Sequence, residues 1–365
     1  MSKPIRVLVV DDSALMRKLI PKILERDDSI EVVGTAMDGN FGLKKIEELA
    51  PQVITLDLEM PGLNGIDTLK EIMRRWRLPV IVVSSHSTTG ASITLKALGL
   101  GAFDSVAKPA DLSARMPEIA AELIGKIKAA AQSNSFRPNL MPEGTRALKA
   151  RTQAATVPTR VIAIGVSTGG PNALQYLFSH LPAEFPGSII VVQHMPEGFT
   201  EMFARRLDET CAVRVKEAQS GDLLLAGRVL ICPGNHHLKV KKLPLGNVAV
   251  LSDGPPVQGH RPSVDVLFRS VAEEFGSQSV AVIMTGMGED GAAGMGEVRK
   301  AGGVTIAQSE DSCVVYGMPK AAIDRGFATR VVHLEELPNT LQAQCMSERA
   351  GKDAGRRQGA SAGSN

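Results

Sequence analysis

The chain has 365 residues, of which 44% are hydrophobic and 22% are charged, and its formal net charge at pH 7 is +2. This length accommodates two domains with separate cores, and the composition is that of an ordinary globular protein. The nearly neutral charge and the lack of a basic stripe with interleaved aromatic residues argue against a nucleic-acid-binding surface.

The acidic residues near the N-terminus and the cysteines indicate the cellular compartment of the protein. Asp11 and Asp12 interrupt the first apolar run, which argues against a secretory signal peptide, and no apolar run is long enough to span a bilayer. The four cysteines show neither the Cys-x-x-Cys spacing of a metal site nor the density of a disulfide framework. We therefore expect a cytoplasmic protein with reduced thiols and no direct membrane insertion.

Strand and helix patterns alternate over residues 1–125, which we take as the first domain. The predicted strands cover residues 5–10, 31–36, 53–57, 80–84 and 104–107. Amphipathic segments lie between them, and Pro21 is expected to kink the first helix. This alternation predicts a doubly wound α/β domain, in which helices cover both faces of a parallel sheet.

Polar residues stand at the carboxyl ends of these strands. Asp11 and Asp12 follow the first strand and Asp57 closes the third. Carboxylates gathered at one sheet edge cannot all stay ionised without a cation, and their oxygens suit Mg²⁺. Ser84 and Lys108 end the fourth and fifth strands, where they can hold a phosphoryl group on Asp57. Alternatively, Asp11 and Asp12 cap the first helix and Lys108 is a solvated cation.

The motifs VVDDS, TLDLEMPGLNG, VSS and AKP resemble those of two-component response-regulator receiver domains, over roughly residues 4–125. The resemblance implies a flavodoxin-like fold and phosphotransfer from a chemotaxis histidine kinase to Asp57. It also implies that Mg²⁺, needed for this phosphorylation, is bound by Asp11, Asp12 and Asp57.

The same resemblance gives switch roles to Ser84 and Lys108. Receivers commonly carry an aromatic residue three positions before this lysine, where the chain has Ser105. The resemblance therefore supports phosphorylation but does not carry over the usual aromatic rotamer switch.

Periodicity is lost over residues 126–159, which are polar and rich in proline and small residues and predict a linker. Alternation resumes over residues 160–345, the second predicted domain. Its predicted strands cover residues 161–166, 189–193, 228–232, 279–284 and 303–307. The segment LKVKKLPLGNVAVL predicts an antiparallel hairpin that turns at Pro244–Asn247. Residues 346–365 are small and polar and predict a disordered tail.

Ser167 follows the first strand of this domain, in the segment VIAIGVSTGGPNALQYLF. The strand turns through glycines into a helix that has Pro171 near its start. A hydroxyl is thereby placed at a strand's carboxyl end and beside a helix N-terminus, where ligands of open α/β sheets bind. The turn also fits the G-x-S-x-G pattern of an exposed nucleophilic serine. The alternative is a tight turn without catalytic function.

A nucleophilic serine requires a base and a group that orients the base. His194 follows the next strand, and Asp290 lies in the TGMGEDGAAG turn after a later strand. The backbone amide of Met287 in that turn is the best candidate to stabilise an oxyanion, together with the Ser167–Gly170 turn. Alternatively, His194 is a structural histidine and Asp290 caps the helix that follows its turn.

The motifs GVSTGGP, QHMPEGFT, DGPPVQGHRPSVDVLF, TGMGEDGAAGM and SCVVYGMP resemble the catalytic domain of chemotaxis protein-glutamate methylesterases, from about residue 160 to 340. Carried over by position, the family's catalytic serine, histidine and aspartate fall on Ser167, His194 and Asp290. Thr168 and His260 fall on matching motifs as supporting or substrate-positioning groups. We therefore expect a Rossmann-like second domain, so that the chain has two doubly wound parallel-sheet domains.

The resemblance implies a phosphorylation-regulated esterase. The expected reaction is hydrolysis of glutamyl 5-methyl esters on the cytoplasmic domain of methyl-accepting chemoreceptors, through an acyl-enzyme and without a cofactor. It also implies deamidation of receptor glutamines, and a receiver that covers the catalytic face until it is phosphorylated. We expect a monomer.

Two other classes of protein remain as alternatives. A response regulator with a non-catalytic effector could bind a nucleotide or a protein at the glycine turn of residues 165–170, but this turn lacks the G-x-G-x-x-G spacing and leaves His194 and Asp290 unused. A DNA-binding regulator would carry a compact helix-turn-helix effector rather than about 180 residues of alternating strands and helices.

Overall fold

A computed structural model of the chain describes residues 3–85, 87–108, 116–133 and 156–346. The described part divides into two units, one on each side of the gap between residues 133 and 156. Most of the predicted linker and nearly all of the predicted tail therefore lie outside the described residues. Within the described ranges, no helix has the length and apolar character needed to cross a membrane.

The first unit is a five-stranded parallel sheet flanked by helices. Its strands, in the sheet order β2-β1-β3-β4-β5, are β1 (Ile5–Val10), β2 (Ile30–Ala36), β3 (Val53–Leu56), β4 (Val80–Ser84) and β5 (Asp104–Ala107). Its helices are α1 (Met16–Leu24), α2 (Gly39–Leu49), α3 (Gly65–Arg75), α4 (Thr88–Gly99) and α5 (Met116–Gln132). The predicted strands are confirmed to within one residue, and the most apolar of them, β1, β3 and β4, are largely buried in the sheet.

Helix α1 contains a proline, and helix α5 is longer than the sequence predicted. Helix α1 continues through Pro21 to Leu24, and the Pro21 carbonyl still accepts a hydrogen bond from Glu25. Helix α5 continues past the predicted domain boundary at residue 125 and ends at Gln132. Its last turns bury Ile127 and Ala130, so residues 126–132 pack as part of the first unit rather than as linker.

The second unit contains a seven-stranded parallel sheet and a separate antiparallel hairpin. The sheet order is β14-β13-β12-β6-β7-β9-β8, with β6 (Val161–Val166), β7 (Ser188–Gln193), β8 (Arg214–Glu217), β9 (Arg228–Ile231), β12 (Ser279–Ile283), β13 (Val304–Gln308) and β14 (Arg330–Val332). The hairpin consists of β10 (His237–Leu243) and β11 (Gly246–Ser252). The helices are α6 (Gly170–Ser179), α7 (Phe199–Thr210), α8 (Val264–Phe275), α9 (Ala292–Lys300), α10 (Met318–Asp324) and α11 (337–346).

The sequence predicted the five inner strands and the hairpin but missed β8 and β14. These two strands lie at the edges of the sheet and contain three or four residues each, with exposed Arg214 and Arg330 at their starts. An edge strand buries only part of its surface and needs no continuous apolar run, which is why hydrophobic patterning did not reveal them.

The chain order of the sheet reverses at β6. Strands β7, β8 and β9 lie on one side of β6 in the sheet. Strands β12, β13 and β14, which come later in the chain, lie on the other side. In open α/β sheets the crevice at such a reversal, beyond the carboxyl ends of the strands, is where ligands bind. The residues that follow β6, β7 and β12 are therefore the ones placed at this crevice.

Helices α8 and α9 approach closely at Gly294. A Cβ atom at this position would lie 2.8 Å from Phe268 Cβ and 3.0 Å from the Asp265 carbonyl oxygen, closer than such atoms normally approach. The missing side chain therefore sets the distance between the two helices, and it also brings together the loops that precede them.

We predict that Gly294→Ala destabilises the second unit. Helix propensity alone would favour alanine by about 1 kcal/mol, but overpacking costs about 1–3 kcal/mol because α8 has to move away. Calorimetric unfolding of the intact chain should show a lower Tm for the transition of the second unit. A raised Tm would mean that the two helices separate at no cost.

Candidate functional site

Ser167 lies directly beyond β6, and its loop is held by backbone hydrogen bonds. The Ser167 amide donates to the Thr285 carbonyl at 3.0 Å, and the Ser167 carbonyl accepts from Gly170 at 2.8 Å. Gly169 has φ of +77°, a conformation that glycine adopts without strain and that turns the chain into α6. The loop therefore places the Ser167 side chain at the crevice rather than in the helix.

The backbones of Ser167 and His194 are joined at neighbouring strand ends. Val166 pairs with Gln193 in the sheet, and the His194 amide donates to the Val166 carbonyl at 3.1 Å. The buried Gln193 side chain bridges the two loops, because its Nε2 donates to the carbonyl oxygens of Ser167 and His194, each at 3.0 Å. Sequence reasoning did not single out Gln193, since a polar residue at a strand end carries no specific signal.

The His194 imidazole is paired with Asp290. His194 Nε2 lies 2.9 Å from Asp290 Oδ2. His194 Nδ1 is buried and has no hydrogen-bond partner among the described residues, so no hydrogen bond joins it to Ser167. Hydrogen bonds between a nucleophile and its base are often long before substrate binds. If Asp290 is ionised, Nε2 carries the proton and Nδ1 presents a lone pair.

Asp290 accepts hydrogen bonds from the N-terminus of α8. Its Oδ1 accepts from Ser263 Oγ at 2.8 Å and from the Asp265 amide at 3.1 Å, and its Oδ2 accepts from the Val264 amide at 2.7 Å. Burial opposes ionisation, but the bonds from His194, Val264 and Ser263 outweigh it and lower the Asp290 pKa from 3.8 to about 2. The alternative that Asp290 caps the helix after its turn is wrong, because the carboxylate bonds to α8 and not to α9.

The loop after β12 is clamped beside Ser167. The Gly286 amide donates to the Val315 carbonyl at 3.0 Å, and the Gly286 carbonyl accepts from the amides of Gly317 and Met318. A Cβ atom at Gly286 would lie only 2.9 Å from Ser167 Cβ. The loop therefore presents the next residue, Met287, next to the serine.

The backbone amides predicted to stabilise an oxyanion differ in whether they already donate a hydrogen bond. Those of Ser167 and Gly170 already donate to carbonyl oxygens, so they are not free to stabilise an oxyanion. In the described part of the chain, the amides of Thr168, Gly169 and Met287 have no assigned acceptor. Within the turn from Ser167 to Gly170, the amides left to stabilise an oxyanion in the described structure are therefore those of Thr168 and Gly169.

Thr168 and His260, the two predicted supporting residues, both contact this site. The Thr168 carbonyl accepts from the Thr285 hydroxyl at 2.9 Å, which ties the serine loop to the end of β12. The His260 ring stacks on the His194 ring with centroids 4.1 Å apart and planes within 4°. Thr285 and Ser263 were missed as site residues. Ser263 directly precedes α8, but sequence alone does not say whose carboxylate its hydroxyl binds.

In the first unit, Lys108 bridges two buried carboxylates. Its Nζ lies 2.7 Å from Asp57 Oδ2 and 3.1 Å from Asp11 Oδ2, so the alternative that Lys108 is a solvated cation is wrong. Burial and the charge of Asp11 raise the Asp57 pKa against the opposing effect of Lys108. For Lys108 burial acts in the other direction, but Asp57 and Asp11 outweigh it and raise its pKa.

The carboxylates of this unit fit a divalent cation. Asp11, Asp12 and Asp57 each offer an oxygen, and these oxygens lie within 4.8 Å of one another. Asp11 Oδ2 is buried, and its ion pair with Lys108 is its one polar contact among the described residues. Since Lys108 supplies one positive charge to three carboxylates, an oxygen-preferring dication such as Mg²⁺ matches both the donor set and the remaining charge.

Three other residues of this unit have defined positions. Asp11 Oδ1 also accepts from the Ser13 amide at 2.9 Å, but Ser13 precedes α1 and the N-cap of that helix has no side-chain hydrogen bond, so the alternative that Asp11 and Asp12 cap the first helix is wrong. The buried Ser84 hydroxyl donates to the Gly90 carbonyl at 3.3 Å rather than to Asp57. The Ser105 carbonyl accepts from Lys126 of α5 at 2.6 Å.

Comparison with known proteins gives the same two-part organisation. Residues 162–341 match the CheB methylesterase family, and residues 7–119 match the response regulator receiver domain. A protein-glutamate methylesterase/protein-glutamine glutaminase of Koribacter versatilis is 59% identical over 95% of this chain and 98% of its own length. Its counterpart from Symbiobacterium thermophilum is 47% identical over 93% of this chain and 96% of its own length.

A solved structure supports the fold of the second unit. The catalytic domain of Thermotoga maritima CheB methylesterase is 41% identical and superposes with a TM-score of 0.50. The match covers 50% of this chain and 97% of that domain.

We predict that the contribution of Asp290 to stability depends on pH. A carboxyl pKa lowered from 3.8 to about 2 stabilises the fold above pH 4, and this stabilisation is lost as the pH falls toward 2. Urea unfolding should show that Asp290→Asn destabilises the second unit by about 2 kcal/mol at pH 7 and by about 1 kcal/mol less at pH 3. An equal effect at both pH values would show that the Asp290 pKa is not lowered.

Proposed function

This chain belongs to the protein-glutamate methylesterase/protein-glutamine glutaminase family and carries an N-terminal receiver domain, and we propose that Ser167, His194 and Asp290 catalyse its hydrolytic reaction. The observation that carries the proposal is the state of His194. Its Nε2 is held by a carboxylate of lowered pKa, and its Nδ1 is buried without a partner among the described residues. Such an imidazole is oriented to accept a proton at Nδ1.

In the proposed reaction, Ser167 Oγ attacks the side-chain carbonyl carbon of a glutamyl methyl ester on a chemoreceptor. His194 Nδ1 takes the hydroxyl proton and then gives it to the methoxide as the C–O bond breaks, so that methanol leaves. Water attacks the resulting acyl-enzyme with His194 again as base, and a free glutamate side chain is released. Asp290 keeps the proton on Nε2 and stabilises the imidazolium that forms in each step.

The negative charge that develops on the substrate carbonyl oxygen needs hydrogen-bond donors. The amides of Met287, Thr168 and Gly169 fit this role, since they are unengaged and lie in the two loops next to Ser167. Removing one donor of this kind typically costs about 3 kcal/mol of transition-state stabilisation. A glutamine side chain reacts by the same steps with ammonia as the leaving group, which accounts for the glutaminase activity of the family.

We predict that Ser167→Ala lowers the rate of methanol release from methylated receptor on the order of 10³-fold or more, since the nucleophile is removed while the fold is kept. Ser277→Ala, at an exposed site beyond α8, serves as the control and should retain the wild-type rate. Undiminished methanol release by Ser167→Ala would remove Ser167 from the mechanism.

We also propose that the receiver regulates this activity through phosphorylation of Asp57 by a chemotaxis histidine kinase. Asp11, Asp12 and Asp57 would hold Mg²⁺, which neutralises charge on the phosphoryl oxygens when it is bound. Lys108 already contacts Asp57 Oδ2 and is placed to bind a phosphoryl oxygen there. Ser84 would have to leave its bond to the Gly90 carbonyl to do the same, as expected for a switch residue.

The proposed substrate determines the proposed partners and location. Cytoplasmic receptor domains carry the glutamyl esters, so we place the protein in the cytoplasm with the receptor and the kinase as its partners. In this proposal phosphorylation of the receiver raises the esterase activity of the second domain. Ester hydrolysis itself uses only the side chains and amides named above and needs no cofactor.

We predict that acetyl phosphate raises methanol release by the intact wild-type chain and leaves Asp57→Asn at its basal rate, since the phosphoacceptor is lost. Chelation of Mg²⁺ should abolish the increase in the wild type without lowering the basal rate. The comparison requires both chains in one methanol assay, with and without EDTA. Stimulation of Asp57→Asn equal to that of the wild type would rule out regulation through Asp57.

A further inference from the structure

Asp265 is a fully buried carboxylate that the proposed reaction does not use. It lies in the first turn of α8, two residues after Ser263. Its Oδ1 accepts from the Gly294 amide at 2.6 Å, and its Oδ2 accepts from Gln258 Nε2 at 3.1 Å, with the Arg269 guanidinium 3.4 Å away. A buried carboxylate needs such hydrogen-bond donors to stay ionised. Two of these donors, the Gly294 amide and Gln258 Nε2, connect Asp265 to other parts of the site.

The first connection joins Asp265 to the loop of Asp290. Asp290 accepts hydrogen bonds from the first amides of α8, while Asp265 on α8 accepts from Gly294 in the first turn of α9, which begins two residues after Asp290. Asp290 therefore stabilises the N-terminus of α8, and Asp265 stabilises the N-terminus of α9, because the unpaired amides at a helix N-terminus favour negative charge. The pair locks together the starts of the two helices.

The second connection joins Asp265 to the turn that carries His260. Residues 257–260 form a tight turn, closed by hydrogen bonds of 3.0 and 2.9 Å between the backbones of Val257 and His260. The central residues, Gln258 and Gly259, have φ of +50° and +79°. A glutamine in this left-handed region is strained, so its side-chain bond to Asp265 helps to hold the turn in this conformation. His260 then stacks on His194.

We propose that Asp265 and Gln258 are positioning residues for the His194 imidazole. Through Gly294, Asp265 supports the segment that carries Asp290, which binds the ring at Nε2. Through Gln258, it supports His260, which covers the ring face. One buried carboxylate thus holds two of the groups that contact the base, and this inference rests on the function proposed above.

The expected consequence lies in the chemical step. His194 must accept and return a proton at Nδ1 twice in each cycle, so a small displacement of the ring lowers the rate of every transfer. Asp265 is fully buried, and the side chain of the exposed Gln258 is engaged by Asp265, so we expect the main effect of changing either residue in kcat rather than in substrate affinity.

The test uses Gln258→Glu in the intact chain. This change keeps the length of the side chain and the backbone strain, but it replaces the Nε2 donor with a carboxylate that faces Asp265. We expect kcat for methanol release to fall on the order of 10-fold while KM stays within about 2-fold. Adding Asp265→Asn should restore a hydrogen bond between the two side chains, because the asparagine amide can donate to the new carboxylate at position 258. We expect this second change to bring kcat back to within about 3-fold of the wild type, as for residues whose effects are coupled. Gln278→Asn, at an exposed position next to β12, is the control and should be unchanged.

The rate at which a fluorophosphonate labels Ser167 gives a second readout, and it should follow kcat across the variants. Wild-type kcat in Gln258→Glu, or a double variant no faster than Gln258→Glu, would overturn the positioning role. The wild-type chain in the same assay separates the two proposals. If it releases no methanol, the proposed function fails, whereas an active wild type with an unaffected Gln258→Glu contradicts only the role of Asp265 and Gln258.

Discussion

The bond between Asp290 and His194 is the interaction on which the second domain's chemistry depends. A carboxylate buried this deeply would ordinarily be protonated, since burial raises its pKa. Here the hydrogen bond and charge of His194, together with the Val264 amide and the Ser263 hydroxyl at the N-terminus of α8, lower the Asp290 pKa to about 2. Because Asp290 is held as an anion, it keeps the proton on His194 Nε2 and leaves Nδ1 as the acceptor. Helix α8 thus acts as an electrostatic part of the site as well as a packing element.

Both domains place their reactive groups in the same way. In each, short apolar strands end at one edge of a parallel sheet, and reactive polar residues directly follow some of these strands, as Asp11 and Asp57 do in the first domain and Ser167 and His194 in the second. The two sites differ in how the negative charge of their carboxylates is balanced. In the receiver cluster one ammonium contacts two of three carboxylates, so negative charge is left for a cation. In the second domain Asp290 is instead satisfied by two amides, the Ser263 hydroxyl and the His194 ring.

Predictions from the sequence were accurate where a residue's position follows from its own strand. Ser167 and His194 lie directly after the buried strands β6 and β7, and Asp11 and Asp57 directly after β1 and β3, so the edge at which each lies was predictable. The edge strands β8 and β14 were missed because their partly exposed surfaces carry little hydrophobic pattern. The end of α5 was misplaced because polar residues of its last turns alternate with the buried Ile127 and Ala130.

The sequence by itself determined the two α/β domains, the family, and the set of groups gathered at each sheet edge, since apolar periodicity and strand-end motifs are local properties. Only the tertiary structure decided how those groups connect. It showed that Asp290 accepts from α8 rather than α9, that His194 meets it through Nε2, and that His260 stacks on the ring. It also brought Asp265, Gln258 and Gly294 together. Apart from the bond between Gln258 and Asp265, these contacts join segments that are tens of residues apart in the chain, and their geometry depends on how closely α8 and α9 pack, which no local pattern encodes.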